Sequence, residues 1–180
     1  MSKLILKMSM SLDGYVADAG GDNSFIFPSM SDDTAAWTID TLADTAAHLM
    51  GSSTYHAMAA HWPGSDSVFA APMNDLPKVV FSRSMTTAEW GDTRIMAGDL
   101  AEEVAKLKDD GGDGYLLAHG GSRFAQSLVR TGLIDEYRLL VHPVALGDGK
   151  PLFGGRVDLK PVSTTAFSGG AVAHVYRPAG

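Results

Sequence analysis

Three short stretches carry residue types that hold anions: Gly51-Ser52-Ser53-Thr54, Ser82-Arg83-Ser84 and Gly120-Gly121-Ser122-Arg123. Each is rich in hydroxyls or glycines, and two add an arginine. Such residues leave backbone N–H groups open. Where a helix begins, those groups and the helix dipole favour a negative ligand, and arginine adds a planar fork that matches phosphate. Taken singly, each stretch is equally a capped helix or a polar turn, and Gly120-Gly121 a tight turn that needs positive φ. Taken together, they describe a cradle for a multiply phosphorylated ligand.

A second set suits proton transfer and ring binding. Asp13, in the turn "SLDGY", and Asp33, at the start of a helix, are candidate acids. A carboxyl sheltered in a cleft has a raised pKa and can donate a proton. Each has a plainer role as well: Asp13 as a turn residue bonding its own backbone before Gly14, Asp33 as a charge complementing a helix N-terminus. Tyr15 and Trp37 can stack on a planar heterocycle or fill core. The six histidines, His48, His56, His61, His119, His142 and His174, are scattered without the spacing of a metal site. No metal is expected. There is no G-x-G-x-x-G after the first strand, no P-loop and no G-x-S-x-G elbow.

The elements that would position these residues can be read from periodicity. Residues 3–10 alternate as a strand with Leu4, Leu6, Met8 and Met10 on one face. The stretch "SLDGYVADAGGDNSF" reads as a long, mobile loop. Ser31 or Asp32 caps a helix carrying Ala35, Trp37, Ile39, Leu42 and Ala46. "AAHLMG" is a short strand ending at Gly51, followed by a short helix "STYHAMAAH" stopped by Pro63 and Gly64. "KVVFS" and "TRIMA" are further strands. Asp99 caps "LAEEVAKLKDD", which Gly111 and Gly112 terminate. "GYLLAH" is a strand that delivers Gly120, and "SRFAQSLVRTG" is a helix. After "IDEYRLLVHPVAL" come "DLKPVSTTAFS" and "GAVAHVYRP", joined by Gly169-Gly170 as a hairpin. Alternating β and α, then β alone, predicts a three-layer α/β domain. Its sheet would be parallel in the middle, with antiparallel C-terminal strands. All three anion-holding stretches would then sit at C-terminal ends of parallel strands, where open α/β sheets bind ligands.

The chain has 180 residues, 45% hydrophobic and 19% charged, which suits a single soluble domain. It contains no cysteine, so disulfides, thiolate metal sites and cysteine nucleophiles are excluded, and a reducing cytoplasm fits. The N-terminus alternates rather than forming a signal peptide, and no run reaches the length of a membrane span. A net charge of −7 without a Lys/Arg cluster argues against nucleic-acid binding.

These stretches resemble the dihydrofolate-reductase-like superfamily, and within it the C-terminal reductase domain of bacterial riboflavin-biosynthesis deaminase-reductases and its stand-alone relatives. "MSMSLDGYVA", "LMGSSTYHAM" and "VVFSRSM" resemble the family's strand–turn segments. "HGGSRFAQSLVRTGLIDEYRLLVHPVALGDGKPLF" is the most specific piece. The resemblance implies an NADPH-dependent reductase, usually a homodimer, delivering hydride to a C=N or C=O of a pyrimidine- or pteridine-like ring, as 5-amino-6-(5-phosphoribosylamino)uracil reductase does. It implies that Gly51 and Thr54 support the cofactor's phosphates and that Ser82 and Arg83 hold the adenosine 2′-phosphate end. Gly120, Gly121, Ser122 and Arg123 would lie against the pyrophosphate and nicotinamide ribose. The chain departs from the family at Ser52, commonly Arg, and at His119, beside the substrate site, typically Glu. Arg83 would supply the charge absent at Ser52. The alternatives are dihydrofolate-reductase-type activity, or a non-catalytic ligand-binding module on the same fold. For the dimer, the apolar segments 134–144 and 171–176 would form a sheet edge or face needing cover.

Overall fold

The computed structural model describes residues 1–110 and 112–180. Its main sheet has eight strands in the order β5-β4-β3-β6-β1-β7-β10-β9. The first strand, β1 (Leu4–Ser11), lies between β6 (Tyr115–Ala118) and β7 (Glu136–His142) and is parallel to both. On the other side of β6, strands β3 (Thr45–Gly51), β4 (Lys78–Phe81) and β5 (Thr93–Met96) continue the parallel set. Beyond β7, β10 (Val172–Pro178) and β9 (Leu159–Ala166) run antiparallel, joined at Gly170 with φ +99°. This is the mixed, mostly parallel α/β sheet that the alternation of elements predicts.

Strand alternation sorts the two faces. Leu4, Leu6, Met8 and Met10 enter one core with Val104 and Leu107 of α4 (Leu100–Asp109) and Phe124, Ala125 and Leu128 of α5 (Ser122–Thr131). Ile5, Met50, Val80 and Leu117 enter the opposite core. There they meet Leu42 of α1 (Asp32–Ala43), Tyr55 of α2 (Ser52–His61) and Met73 of α3 (Ala70–Asp75). Helices thus cover both faces, which gives three layers.

Several local expectations are corrected. The stretch read as a long loop contains β2 (Tyr15–Ala17), paired with β8 (Lys150–Pro151), and a 3₁₀ turn over Ser24–Ser29. Helix α1 ends at Ala43, so Ala46 belongs to β3. Ser31 occupies the N-cap position of α1, but its hydroxyl donates to Asp33 Oδ1 at 2.5 Å rather than capping the backbone. Neither segment 134–144 nor 171–176 is an edge, because β7 and β10 are each paired on both sides. The edge on that side of the sheet is β9, exposed along nearly its whole length. Of the two glycines expected to stop α4, Gly111 lies outside the described residues. Among the described residues, no helix is long and apolar enough to cross a membrane.

Candidate functional site

The three anion-holding stretches converge. Gly51, Ser52, Ser53 and Thr54 after β3, Ser82 and Arg83 after β4, and Gly120, Gly121, Ser122 and Arg123 after β6 all line one cavity of ≈ 1090 Å³. Lys7, Met8 and Ser9 of β1 and Ala97 to Leu100 after β5 line it as well, with Val16, Ala17 and Lys150 on another side. β6 inserts between β3 and β1 although it follows β5 in the chain. The chain's reversal of direction there opens a crevice at the strands' C-terminal ends. The volume exceeds the ~300–1,000 Å³ usual for one small ligand.

Two helices start at this cavity without a capping side chain. The N-cap positions of α2 and α5 are Gly51 and Gly121, and neither helix has a side-chain cap hydrogen bond. Their first N–H groups therefore remain open to a ligand. The Thr54 hydroxyl donates to the Gly120 carbonyl and ties the two starts together. Phe81 and Phe124 stack with ring centroids 5.4 Å apart, fixing α5 against the end of β4. Arg83 and Arg123 are exposed, and neither has a carboxylate partner among the described residues.

The glycines differ in why they lack a side chain. Gly121 has φ +95°, and a Cβ there would sit 2.8 Å from Thr54 Oγ1, so the fold itself demands glycine. At Gly51 a Cβ would come 3.1 Å from Phe124 Cβ. Gly120 has ordinary φ, and its nearest neighbour would be the flexible end of Met8, at 3.0 Å. Only there is the crowding neighbour the flexible end of a side chain, which can shift to admit a Cβ.

Sequence reasoning missed a polar row across the sheet beneath α1, α2 and α3. Lys78, His48, His119 and Lys7 lie on the face of Val80, Met50, Leu117 and Ile5. His48 Nε2 is 3.0 Å from the Pro72 carbonyl, and His119 Nε2 is 2.8 Å from His48 Nδ1. Burial pushes His48 down to about 4, and it pushes His119 well below the ordinary histidine value, helped by His48 and Lys7. Both rings are neutral at pH 7. Lys7 lines the cavity and has no carboxylate partner among the described residues; desolvation lowers its amine to about 8. His142, buried nearby and pushed to about 4 by burial and by Lys7, holds Nδ1 2.7 Å from Ser29 Oγ and leaves Nε2 unpartnered. The only sequence signal for Lys7 was a charge inside an otherwise buried central strand.

The other candidates lie elsewhere. The Asp13 carboxylate accepts from Ser11 Oγ at 2.6 Å, Gly147 N at 2.8 Å and Leu146 N at 3.1 Å, and these bonds hold it down at about 2. Asp33 accepts from Ser31 Oγ, from Ser168 N at 2.8 Å and from Ser168 Oγ at 3.0 Å, and is likewise held at about 2. The raised pKa expected of a sheltered acid is absent at both, and neither lines the cavity. Both are fasteners, pinning the 146–147 segment and the β9–β10 turn. Trp37 packs against Phe167, ring centroids 6.0 Å apart, in a small core with Leu140 and Ala173. Tyr15 sits in β2 opposite Pro151, beside the cavity rather than in its lining. Of the three ring-binding candidates only His119 faces the cavity.

Similar proteins agree with this architecture. YyaP of Bacillus subtilis, an uncharacterized protein, is 32% identical over 97% of this chain and 94% of its own. YwjB of the same organism, also uncharacterized, is 28% identical over 84% of this chain and 82% of its own. A solved structure from Shewanella sp. PV-4, assigned by its name to riboflavin biosynthesis, superposes with a TM-score of 0.79 at 22% identity, covering 99% of both chains. The Thermotoga maritima diaminohydroxyphosphoribosylaminopyrimidine deaminase/5-amino-6-(5-phosphoribosylamino)uracil reductase does so with a TM-score of 0.69 at 19% identity. This chain spans 98% of itself and 56% of that one. Dihydrofolate reductase from Enterococcus faecalis shares the fold at a TM-score of 0.65 and 13% identity. Residues 2–173 match the family model of the RibD C-terminal domain, and the chain belongs to that family.

Proposed function

We propose that this protein is a reductase of the riboflavin-pathway type that binds NADPH in the cavity and reduces a C=N or C=O of a pyrimidine- or pteridine-like ring. The observation that carries the reading is the convergence of two uncapped helix N-termini and two unpaired arginines on one cavity. That donor set matches a molecule with several phosphates. The first N–H groups of α2 and α5 would hold the pyrophosphate region, with Ser52, Thr54, Ser122 and Arg123 beside it. Ser82 and Arg83 would take the 2′-phosphate. Bound NADPH would supply the hydride, which is the cofactor's own chemistry.

Lys7 takes the proton role first assigned to Asp13 and Asp33. Its amine, in the cavity wall with a pKa of about 8, stays protonated at pH 7 yet is easier to deprotonate than an ordinary lysine. It would hydrogen-bond the heteroatom of the substrate's double bond and give up a proton there as charge develops. The same residue favours catalysis over the non-catalytic module, since an unpaired, desolvated amine costs stability without adding to it. Asp32 and Asp33, the carboxylates at the start of α1, do not line the cavity, which gives no support to dihydrofolate-reductase-type activity. A homodimer joined along the exposed β9 edge would suit this reading.

Two measurements test the proposal. In a titration followed by nicotinamide fluorescence, NADPH binds in the micromolar range and NADH more weakly. Arg83→Ala lowers NADPH affinity by about ten- to a hundredfold, as expected for a lost charged hydrogen bond of ~1.5–3 kcal/mol. Absence of binding by either nucleotide at millimolar concentration would overturn the reading. Once a substrate is found, turnover falls as pH rises through about 8, where Lys7 loses its proton; a rate flat to pH 10 would exclude Lys7 as the acid.

A further inference from the structure

The His48–His119 pair has a direction. Its rings lie 4.8 Å apart at 54°, His48 in β3 and His119 just past β6. A carbonyl oxygen only accepts, so the Pro72 carbonyl fixes the proton of His48 on Nε2. Pro72 is among the last four residues of α3, whose carbonyls lack partners within the helix and are free for this use. A neutral His48 then has only a lone pair at Nδ1, and His119 must donate from Nε2 to meet it. The remaining lone pair is His119 Nδ1. No described protein group meets it, it is not among the sealed, unpartnered atoms, and its residue lines the cavity.

The charges around the pair hold this state. Lys78 faces His48 from β4 and Lys7 faces His119 from β1, while Asp75 and Asp92 face Lys78. A proton on either ring would bring a third cation into a row with no carboxylate beside the histidines. The geometry points to His48 as a positioning residue that locks His119 in its Nε2–H tautomer, so that the cavity takes, at His119, a ligand edge bearing an amide-type N–H donor. The Nδ1 lone pair accepts and cannot donate, so this atom itself holds a donor and not an anion. The cavity thus offers anions the starts of α2 and α5 and Arg83, and offers a neutral N–H donor the lone pair of His119, just before the start of α5.

This deepens the reductase reading and rests on it for the source of the donor. Both the carboxamide of a nicotinamide and a ring N–H of the heterocycle carry the chemistry. Long-range ¹⁵N spectra of histidine-labelled protein at pH 7 test the lock without any ligand. His48 and His119 should both be neutral with the proton on Nε2. A proton on His119 Nδ1, or a charged ring, overturns the proposal even if NADPH binds. Conversely, failure of NADPH binding leaves these spectra interpretable, so the two readings fail separately.

The ligand half is tested with paired probes. NADP⁺ is compared with its 3-acetylpyridine analogue, in which a methyl replaces the amide NH₂, and uracil with 1,3-dimethyluracil. The His119 Nδ1 resonance should move with the donor-bearing member of one pair and not with its counterpart, and which pair responds identifies the source. No movement with any probe overturns the ligand assignment. In His48→Leu the preference for the donor-bearing probe should fall by about fivefold. His48→Asn, which keeps an acceptor near the place of Nδ1, should restore it. An unchanged preference in His48→Leu, or equal loss in both variants, overturns the role of His48.

Discussion

Three helices begin at the same cavity, and they begin differently. α4 is capped in the ordinary way: Asp99 Oδ1 accepts from Ala101 N at 3.0 Å and Glu102 N at 3.1 Å. α2 and α5 start at glycines and have no side-chain cap. A glycine N-cap forgoes only roughly a few tenths of a kcal/mol against Ser, Thr, Asn or Asp, so the contrast lies less in stability than in which first-turn N–H groups a side chain has already taken. The capped helix serves the fold, while under the proposed function the uncapped pair keeps its N–H groups for the cofactor's phosphates.

Substitutions can break this contrast. The largest effect is expected from Gly121→Ala, which forces a side chain to φ +95° and against Thr54. Urea denaturation should show a loss of about 1–3 kcal/mol, and NADPH affinity should fall with it. Gly120→Ala should separate the two quantities. Stability should change by less than about 1 kcal/mol because only the end of Met8 must move, while NADPH affinity drops about tenfold, or 1.4 kcal/mol. Equal thermal destabilisation by both alanines would mean that Gly120 serves only the fold. The smallest effect belongs to Asp99→Ala. It should cost about 1 kcal/mol of stability and change NADPH affinity by less than about threefold. A large loss of affinity there would erase the distinction between capped and uncapped helices.

Local signals made much of this architecture legible. The alternation of Leu4, Leu6, Met8 and Met10, the Asp99 cap and the helix after Gly121 all depend on neighbours within a few residues. The three loops at the cavity could be read for the same reason, since strand ends and glycine pairs mark themselves. What stayed hidden depends on distant partners. Asp13 looked like a free acid because Leu146 and Gly147, which hold it, lie more than 130 residues away. Asp33 is held by Ser168 and Trp37 by Phe167, across the same gulf of sequence. β2 and β8 are too short to carry a pattern, and exist because they pair with each other. Lys7 and His48 were overlooked for another reason. A polar residue in a short alternating strand reads as solvent-facing, whereas helices cover both faces of this sheet.

The placement of β1 has a consequence for how the chain is made. Both of its partners come late, one at residues 115–118 and the other at 136–142. This strand precedes all its sheet neighbours in the chain, gains its first partner only at residues 115–118 and its second only at 136–142, and until then "LILKMSMS" must wait with its hydrogen-bonding groups open. Lys7 and Ser9 interrupt its apolar run on one face. The amine that makes the finished cavity chemically distinctive also acts, during that wait, as a gatekeeper against pairing with the wrong neighbour.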